Sequence, residues 1–247
     1  MNIKQYEETS VRGPEEYKAN FEGVQVHKNP PRLAPLVSDV YLMDNMEFMA
    51  QFPDKYFDLA VVDPPYGIGQ NRNNGKSIGL RKKWAQSYSK KKYTQKDWDL
   101  KIPDDEYFLE LQRVSVNQII WGANYFELPP TKGIIAWDKQ CDGTDFSDFE
   151  LAWSSFDISA KIFRLPIQTE SQKRIHPTQK PVALYDWIFA KYANPNDKIL
   201  DTHLGSGSSR IAANKAGLDF YACELDLEYF KEQNTRYELF VRQLKMF

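Results

Sequence analysis

Six residues, Phe57-Asp58-Leu59-Ala60-Val61-Val62, form a short apolar run that stops abruptly at Asp63-Pro64-Pro65-Tyr66. The run is rich in residues suited to a buried strand. Two consecutive prolines cannot continue a hydrogen-bonded ladder, so the strand must end there. Asp63 is thereby fixed at the carboxyl end of a core strand, where open α/β sheets keep their ligand crevices. A carboxylate, a stiff backbone and an aromatic ring within four residues suit the gripping of a planar base by its amino group.

The remaining pattern alternates strands with helices. Strands are expected at Val37–Leu42, Gln118–Trp121, Gly133–Trp137, Phe149–Trp153, Lys198–Asp201 and Leu218–Cys223. Helices are expected after Asp44, after Pro103 to about Ser115, and over Val182–Tyr192, Ser208–Ala216 and Asp226 to about Leu244. Such alternation predicts an α/β doubly wound, mostly parallel sheet. Residues 1–36 read as a polar N-terminal arm, and 37–247 as a single catalytic domain, for which 247 residues suffice.

Net charge is −2, so the whole chain does not announce a polyanion partner. Its distribution does. Gln70 to Lys96 holds nine basic residues and no acidic one, interleaved with Trp84, Tyr88 and Tyr93. This insertion, about 70–100, predicts phosphate contacts, with Arg81, Lys82, Lys83 and Trp84 as the DNA-binding candidates. The two cysteines, Cys141 and Cys223, lack metal or disulfide spacing, and three scattered histidines make no metal site. No stretch reaches the roughly 18 apolar residues of a membrane span. A cytoplasmic location is expected, given cysteines unsuited to a disulfide framework and a polar, charged start.

A second constellation spans Ile199 to Ser209. Strand, glycine turn (Gly205-Ser206-Gly207) and helix follow one another, and Glu224 ends the next strand about 20 residues on. Glycines allow close backbone approach, the helix start offers unpaired N–H groups, and an acid at Glu224 can accept from both ribose hydroxyls. Arg210 stands where a dinucleotide fingerprint needs its third glycine. Asp201 enters the turn, where a carboxylate would repel a pyrophosphate but attract an amino-acid ammonium. Those features favour S-adenosyl-L-methionine over a nicotinamide cofactor.

Three segments together resemble the DNA amino-methyltransferases of the beta group, in which the catalytic motif precedes the cofactor motif. They are Asp63-Pro64-Pro65-Tyr66-Gly67-Ile68-Gly69, His176-Pro177-Thr178-Gln179-Lys180-Pro181, and Asp201 through Ser208 with Glu224. The resemblance implies a seven-stranded Rossmann-like sheet of the S-adenosylmethionine-dependent methyltransferase type, with one antiparallel strand. It implies methyl transfer to the exocyclic amine of a flipped base in double-stranded DNA, N6 of adenine in a specific sequence. Asp63, Pro64, Pro65 and Tyr66 are then catalytic. Asp201, His203, Gly205, Ser206, Gly207, Glu224, Thr178, Lys180 and Asp44 bind the cofactor, and no metal is needed. The family's Pro-Phe after the acid is Thr202-His203 here, with His203 as a partial replacement for the aromatic ring. Target recognition is assigned to 70–100, to a small region about 138–175, or to both. Members of this group are often dimers, so the resemblance admits a homodimer, and it admits a cognate restriction endonuclease as a further partner. N4 of cytosine is the alternative target, although Asp63 favours adenine. A nicotinamide-dependent oxidoreductase and an inactive DNA-binding module are more distant readings.

Overall fold

The computed structural model describes residues 35–68, 99–141, 147–166 and 174–244. Along the chain these form β1 (Ser38–Leu42), α1 (Asn45–Met49), β2 (Phe57–Val62), α2 (Asp105–Val114), β3 (Ser115–Trp121), β4 (Ile135–Asp138) and β5 (Phe149–Ser154). Then come β6 (Lys161–Arg164), α3 (Val182–Tyr192), β7 (Lys198–Asp201), α4 (Ser208–Ala216), β8 (Asp219–Glu224) and α5 (Leu227–Leu244). The basic insertion with Arg81, Lys82, Lys83 and Trp84, and nearly all of the N-terminal arm, lie outside the described residues.

The strands make one sheet in the order β1-β8-β7-β2-β3-β5-β4-β6. Every neighbouring pair is parallel except those that β5 makes with β3 and β4. The doubly wound, mostly parallel sheet with one reversed strand is as expected, but among the described residues it has eight strands rather than seven. The added strand is β6, at the sheet edge. Only Phe163 of its four residues is buried, so it carries no alternation that a sequence pattern could register. With β5, it also places much of the described part of 138–175 in the sheet itself.

β2 shows why its sequence is apolar throughout. Leu59 and Val61 join one core cluster, with Trp121, Trp187, Ile188 and Ile211. Ala60 and Val62 join a second, with Phe48, Phe108 and Leu111. Helices α3 and α4 thus cover one face of the sheet, and α1 and α2 the other. A strand buried on both faces needs no polar alternation. Each fully buried branched side chain contributes roughly 1.5–3 kcal/mol.

From β7 the chain moves to β8, and from β2 it moves to β3, in opposite directions across the sheet. β2 and β7 are parallel neighbours, with Leu59 opposite Ile199. Their carboxyl ends therefore flank the crevice that such a reversal opens. Arg210, on α4, fixes the helix over this point. Its guanidinium donates to Ser38 Oγ (2.9 Å), Ser38 O (3.1 Å), Gln233 Oε1 (3.1 Å) and Asn234 Oδ1 (2.7 Å). A long cation here ties α4 to β1 and α5, where a dinucleotide fold would have a glycine.

Candidate active site

Asp63 leaves β2 and its carboxylate meets two donors. Tyr66 Oη donates to Oδ1 at 2.6 Å, and Lys180 Nζ lies 2.5 Å from Oδ2. Lys180 also donates to Tyr66 Oη at 3.1 Å and pairs with Glu150 at 3.1 Å. Glu150 in turn pairs with Lys139 at 2.6 Å. The prolines keep the backbone of this turn out of the ladder. Its far side is held by Asp99, whose Oδ1 accepts from the N–H groups of Tyr66 (2.8 Å) and Gly67 (3.0 Å). Burial pushes the Asp63 carboxyl above its ordinary value, against the opposing pull of Lys180. Burial, helped by Asp63, also pushes the Tyr66 phenol far up, so it remains a neutral donor.

The ring of Tyr66 is closely confined. It stacks on Tyr125 with centroids 4.8 Å apart and planes 13° from parallel. It also presses on Gly122, which has φ +84° and whose missing Cβ would lie 2.4 Å from Tyr66 Cε1. Glycine is required at 122 both for its backbone and for its lack of a side chain. One face of the Tyr66 ring thus already carries an aromatic partner.

The glycine turn joins β7 to α4. Gly207, at φ +71°, is the left-handed residue from which α4 starts. Glu224, at the end of β8, accepts from Gly205 N through Oε2 and from Asp226 N through Oε1, each at 2.8 Å. The Leu225 N–H bonds the carboxylate as well, and with about four acceptor sites an ionised carboxylate keeps capacity to accept. His203 Nε2 takes the Asn45 amide at 3.0 Å, and its Nδ1 lies 3.0 Å from Thr202 Oγ1. Burial pushes His203 down to about 4, so the ring is neutral near pH 7. Thr202 Oγ1 is bonded to Tyr107 Oη at 2.7 Å.

These groups surround a cavity of about 940 Å³, within the range of small-molecule sites. Asp44, Asp63, Pro65, Thr178, Lys180, His203, Gly205, Ser206 and Glu224 all line it. Asp44 spends its Oδ1 on capping α1, accepting from Met46 N at 2.8 Å and Glu47 N at 3.2 Å. A smaller cavity of about 130 Å³ adjoins, lined by Asp63, Pro64, Pro65, Tyr66, Lys139, Glu150 and Lys180 among others. Asp63, Pro65, Thr178 and Lys180 belong to both.

Neither Asp201 nor Gly207 lines the large cavity. Asp201 is 2% exposed, and its carboxylate is taken by Ser209 Oγ (2.6 Å) and His203 N (3.0 Å). A strand-end acid followed by a turn that folds back is captured by that turn, so Asp201 shapes the loop from beneath. Glu150, Lys139, Asp99, Tyr125 and Gly122 were not foreseen. One signal for Glu150 was present: an acid inside the apolar run Phe149–Trp153 needs a buried partner.

Residues 153–235 match the DNA methylase family model, N6_N4_Mtase. The match takes in His176–Pro181, the glycine turn and Glu224, but not Asp63. The chain is 25% identical to the type II methyltransferase M2.MboI of Moraxella bovis over 250 positions, covering 84% of this chain and 90% of that protein. It is 21% identical to M1.MboII of the same organism, covering 80% of this chain and 95% of the relative. Among solved structures, the M1.HpyAVI–SAM complex superposes with a TM-score of 0.54 at 19% identity, over 81% of this chain and 98% of that one. The cytosine-N4-specific PvuII DNA methyltransferase gives 0.53 at 12% identity, over 82% and 87%. In sequence and in fold, the chain is similar to these DNA methyltransferases.

Proposed function

We propose that this chain transfers the methyl group of S-adenosyl-L-methionine to the exocyclic amine of a base flipped out of DNA, N6 of adenine. The observation that carries this reading is the position of Asp63 on a wall shared by two cavities. The larger has the volume and the acidic end, at Glu224, that a nucleoside with an amino-acid tail needs. Glu224 and the glycine turn would hold the ribose, while Asp44, Asn45 and His203 lie along the same wall. The smaller cavity, at the Asp63–Tyr66 turn, would receive the amine. When bound, the cofactor supplies an activated sulfonium methyl.

An adenine amine is a poor nucleophile because its lone pair is delocalised into the ring. Asp63 and the carbonyl of Pro64 accept from its two hydrogens, which draws the nitrogen toward tetrahedral geometry. The lone pair then forms the new N–C bond, the C–S pair returns to sulfur, and the surplus proton passes to Asp63. Each Asp63 oxygen holds one donor at present, Tyr66 on Oδ1 and Lys180 on Oδ2, and each keeps capacity to accept the amine. A base stacking on Tyr66 at the face now covered takes the place of Tyr125. Flipping costs a few kcal/mol, and aromatic stacking returns about 1–3 kcal/mol. The basic segment 70–100 supplies phosphate affinity.

N4 of cytosine is a second reading, since the same sheet serves the cytosine-N4-specific PvuII protein. One experiment separates the two. The purified chain is incubated with unmethylated DNA and methyl-labelled S-adenosylmethionine, and the DNA is digested to nucleosides. Label in N6-methyladenine is expected. Label in N4-methylcytosine would replace the target base, and DNA without label would overturn the reading.

A further inference from the structure

Lys180 is 4% exposed and has two carboxylate partners. Asp63 lies at 2.5 Å and Glu150 at 3.1 Å. Glu150 has a second cation, Lys139, at 2.6 Å. The four charges alternate in sign from Asp63 to Lys139 along the wall of the smaller cavity, which all four side chains line. The two carboxylates are not equivalent. Glu150 is shared by two ammonium groups, whereas Asp63 has one ammonium and one neutral phenol. A proton arriving in this row therefore settles on Asp63.

We infer that Glu150 is a positioning residue that anchors Lys180 beside Asp63 and keeps its charge balanced while Asp63 takes up the proton of the methylated amine. The inference rests on the methyl-transfer reading. In the resting row, two carboxylates balance two ammonium groups. Once the proton reaches Asp63, Lys180 loses one of its two counter-ions and Glu150 becomes the remaining one. Without the Glu150 charge, the same event would leave two buried ammonium groups with no anion between them. Neutralising Asp63 would then be more costly, and Asp63 would be a weaker base.

The electrostatics of the row agree. Burial pushes both carboxyls up, but at Glu150 the pull of Lys180 and Lys139 overturns it and the group sits below its ordinary value. At Asp63 burial prevails over Lys180, and the negative charge of Glu150 adds to the rise. At Lys180 burial is outweighed by the two carboxylates, so the ammonium persists. The other groups in electrostatic range of Asp63 are the phenols of Tyr66, Tyr107 and Tyr185 and the carboxyl of Asp201. Separating two neighbouring carboxyls in this way is how one fold assigns the proton to one of them and fixed charge to the other.

The test begins with the unaltered chain without cofactor. Carboxyl-labelled protein is titrated by carbon NMR, with Asp63→Asn and Glu150→Gln identifying the two signals. Asp63 is expected to gain its proton at higher pH than Glu150, and the reverse order would overturn the inference whether or not the chain is an enzyme. Glu150→Gln is expected to move the Asp63 titration to lower pH. In the transfer assay it is expected to lower kcat about 10- to 100-fold and to move the acid limb of the kcat profile down with Asp63. The Kd of S-adenosylmethionine should stay within about twofold, and Glu150→Asp should restore part of the rate. An unmoved Asp63 titration, or a loss confined to cofactor affinity, would refute the role of Glu150. A native chain that transfers no methyl group would instead refute the reading beneath it, leaving the NMR result to judge the charge row on its own.

Discussion

Replacing Gly122 with alanine tests whether the Tyr66 ring is held in place as tightly as the geometry requires. The new methyl would begin 2.4 Å from Tyr66 Cε1 and 2.7 Å from Cδ1. Carbon atoms rest at about 3.5–4.0 Å, so the ring must retreat by roughly 1 Å. On another side it meets Tyr125 at a stacking distance of 4.8 Å, which resists the retreat. A displacement of that size would lengthen the 2.6 Å bond from Tyr66 Oη to Asp63 beyond the range of a hydrogen bond. Backbone strain adds to the clash: φ is +84° at this position, and a left-handed conformation costs a residue with a Cβ about 1–2 kcal/mol. Overpacking contributes about 1–3 kcal/mol more. The sum, about 2–5 kcal/mol, corresponds to a fall in Tm of roughly 4–20 °C for a chain of this size. Misplacing a reacting group by 1 Å costs about a hundredfold in rate. Thermal denaturation and the labelled-methyl assay read the two effects separately, while calorimetric titration should show cofactor affinity intact, because Gly122 does not line the large cavity. A Gly122→Ala chain with native Tm and native kcat would refute the reasoning.

Asp63→Asn keeps the shape but cannot accept a proton; a rate loss of about 10²–10⁴ is expected with cofactor binding retained, and an active variant would remove Asp63 from the chemistry. Glu224→Gln should weaken S-adenosylmethionine binding about 10- to 100-fold, as expected when bonds to a charged acceptor are lost; calorimetry showing unchanged affinity would move the ribose elsewhere. Burial pushes Asp201 up to about 7, so between about pH 4 and 7 the folded chain holds a proton that the unfolded chain has released. Its contribution to stability is therefore complete below about 4 and gone above about 7. Asp201→Asn, which cannot ionise, should narrow the difference between urea midpoints at pH 5.5 and pH 8, and an unchanged difference would count against the assignment. Converting Arg81, Lys82 and Lys83 together to glutamine should reduce the slope of log Kobs against log salt for DNA by up to about 2.7, at about 0.9 per phosphate contact; an unaltered slope would place the phosphate contacts elsewhere.

The parts legible in the sequence were those where one residue type has one physical job. Pro64 and Pro65 could only end β2, and the positions of Asp63 and Glu224 followed from strand ends. Helices α3 and α4 were legible to their terminal residues, because Pro181 and Gly207 mark their starts and Gly217 marks the end of α4. What was not legible depends on contacts between distant segments. Lys180 was expected among the cofactor ligands; only the fold shows it 117 positions from Asp63 in the chain and 2.5 Å from it in space. The pairing of Glu150 with Lys139 and the capture of Asp201 by Ser209 are of the same kind. Residues on different elements meet through packing, and no local spacing encodes that. The edge strand β6 is illegible for a different reason, since a short strand with one inward side chain has no period to detect.

The Asp99 carboxylate grips the backbone of Tyr66 and Gly67 at 2.8 and 3.0 Å. Gly67 and Asp99, described residues on either side of positions 69–98, are therefore held together beside the Asp63 turn. Because the cost of closing a loop grows only slowly with its length, such a stretch can be exchanged or resized at little expense to the sheet. Replacing positions 69–98 with an unrelated stretch would leave the sheet and the Asp63 turn standing, a modularity that rests on the Asp99 carboxylate.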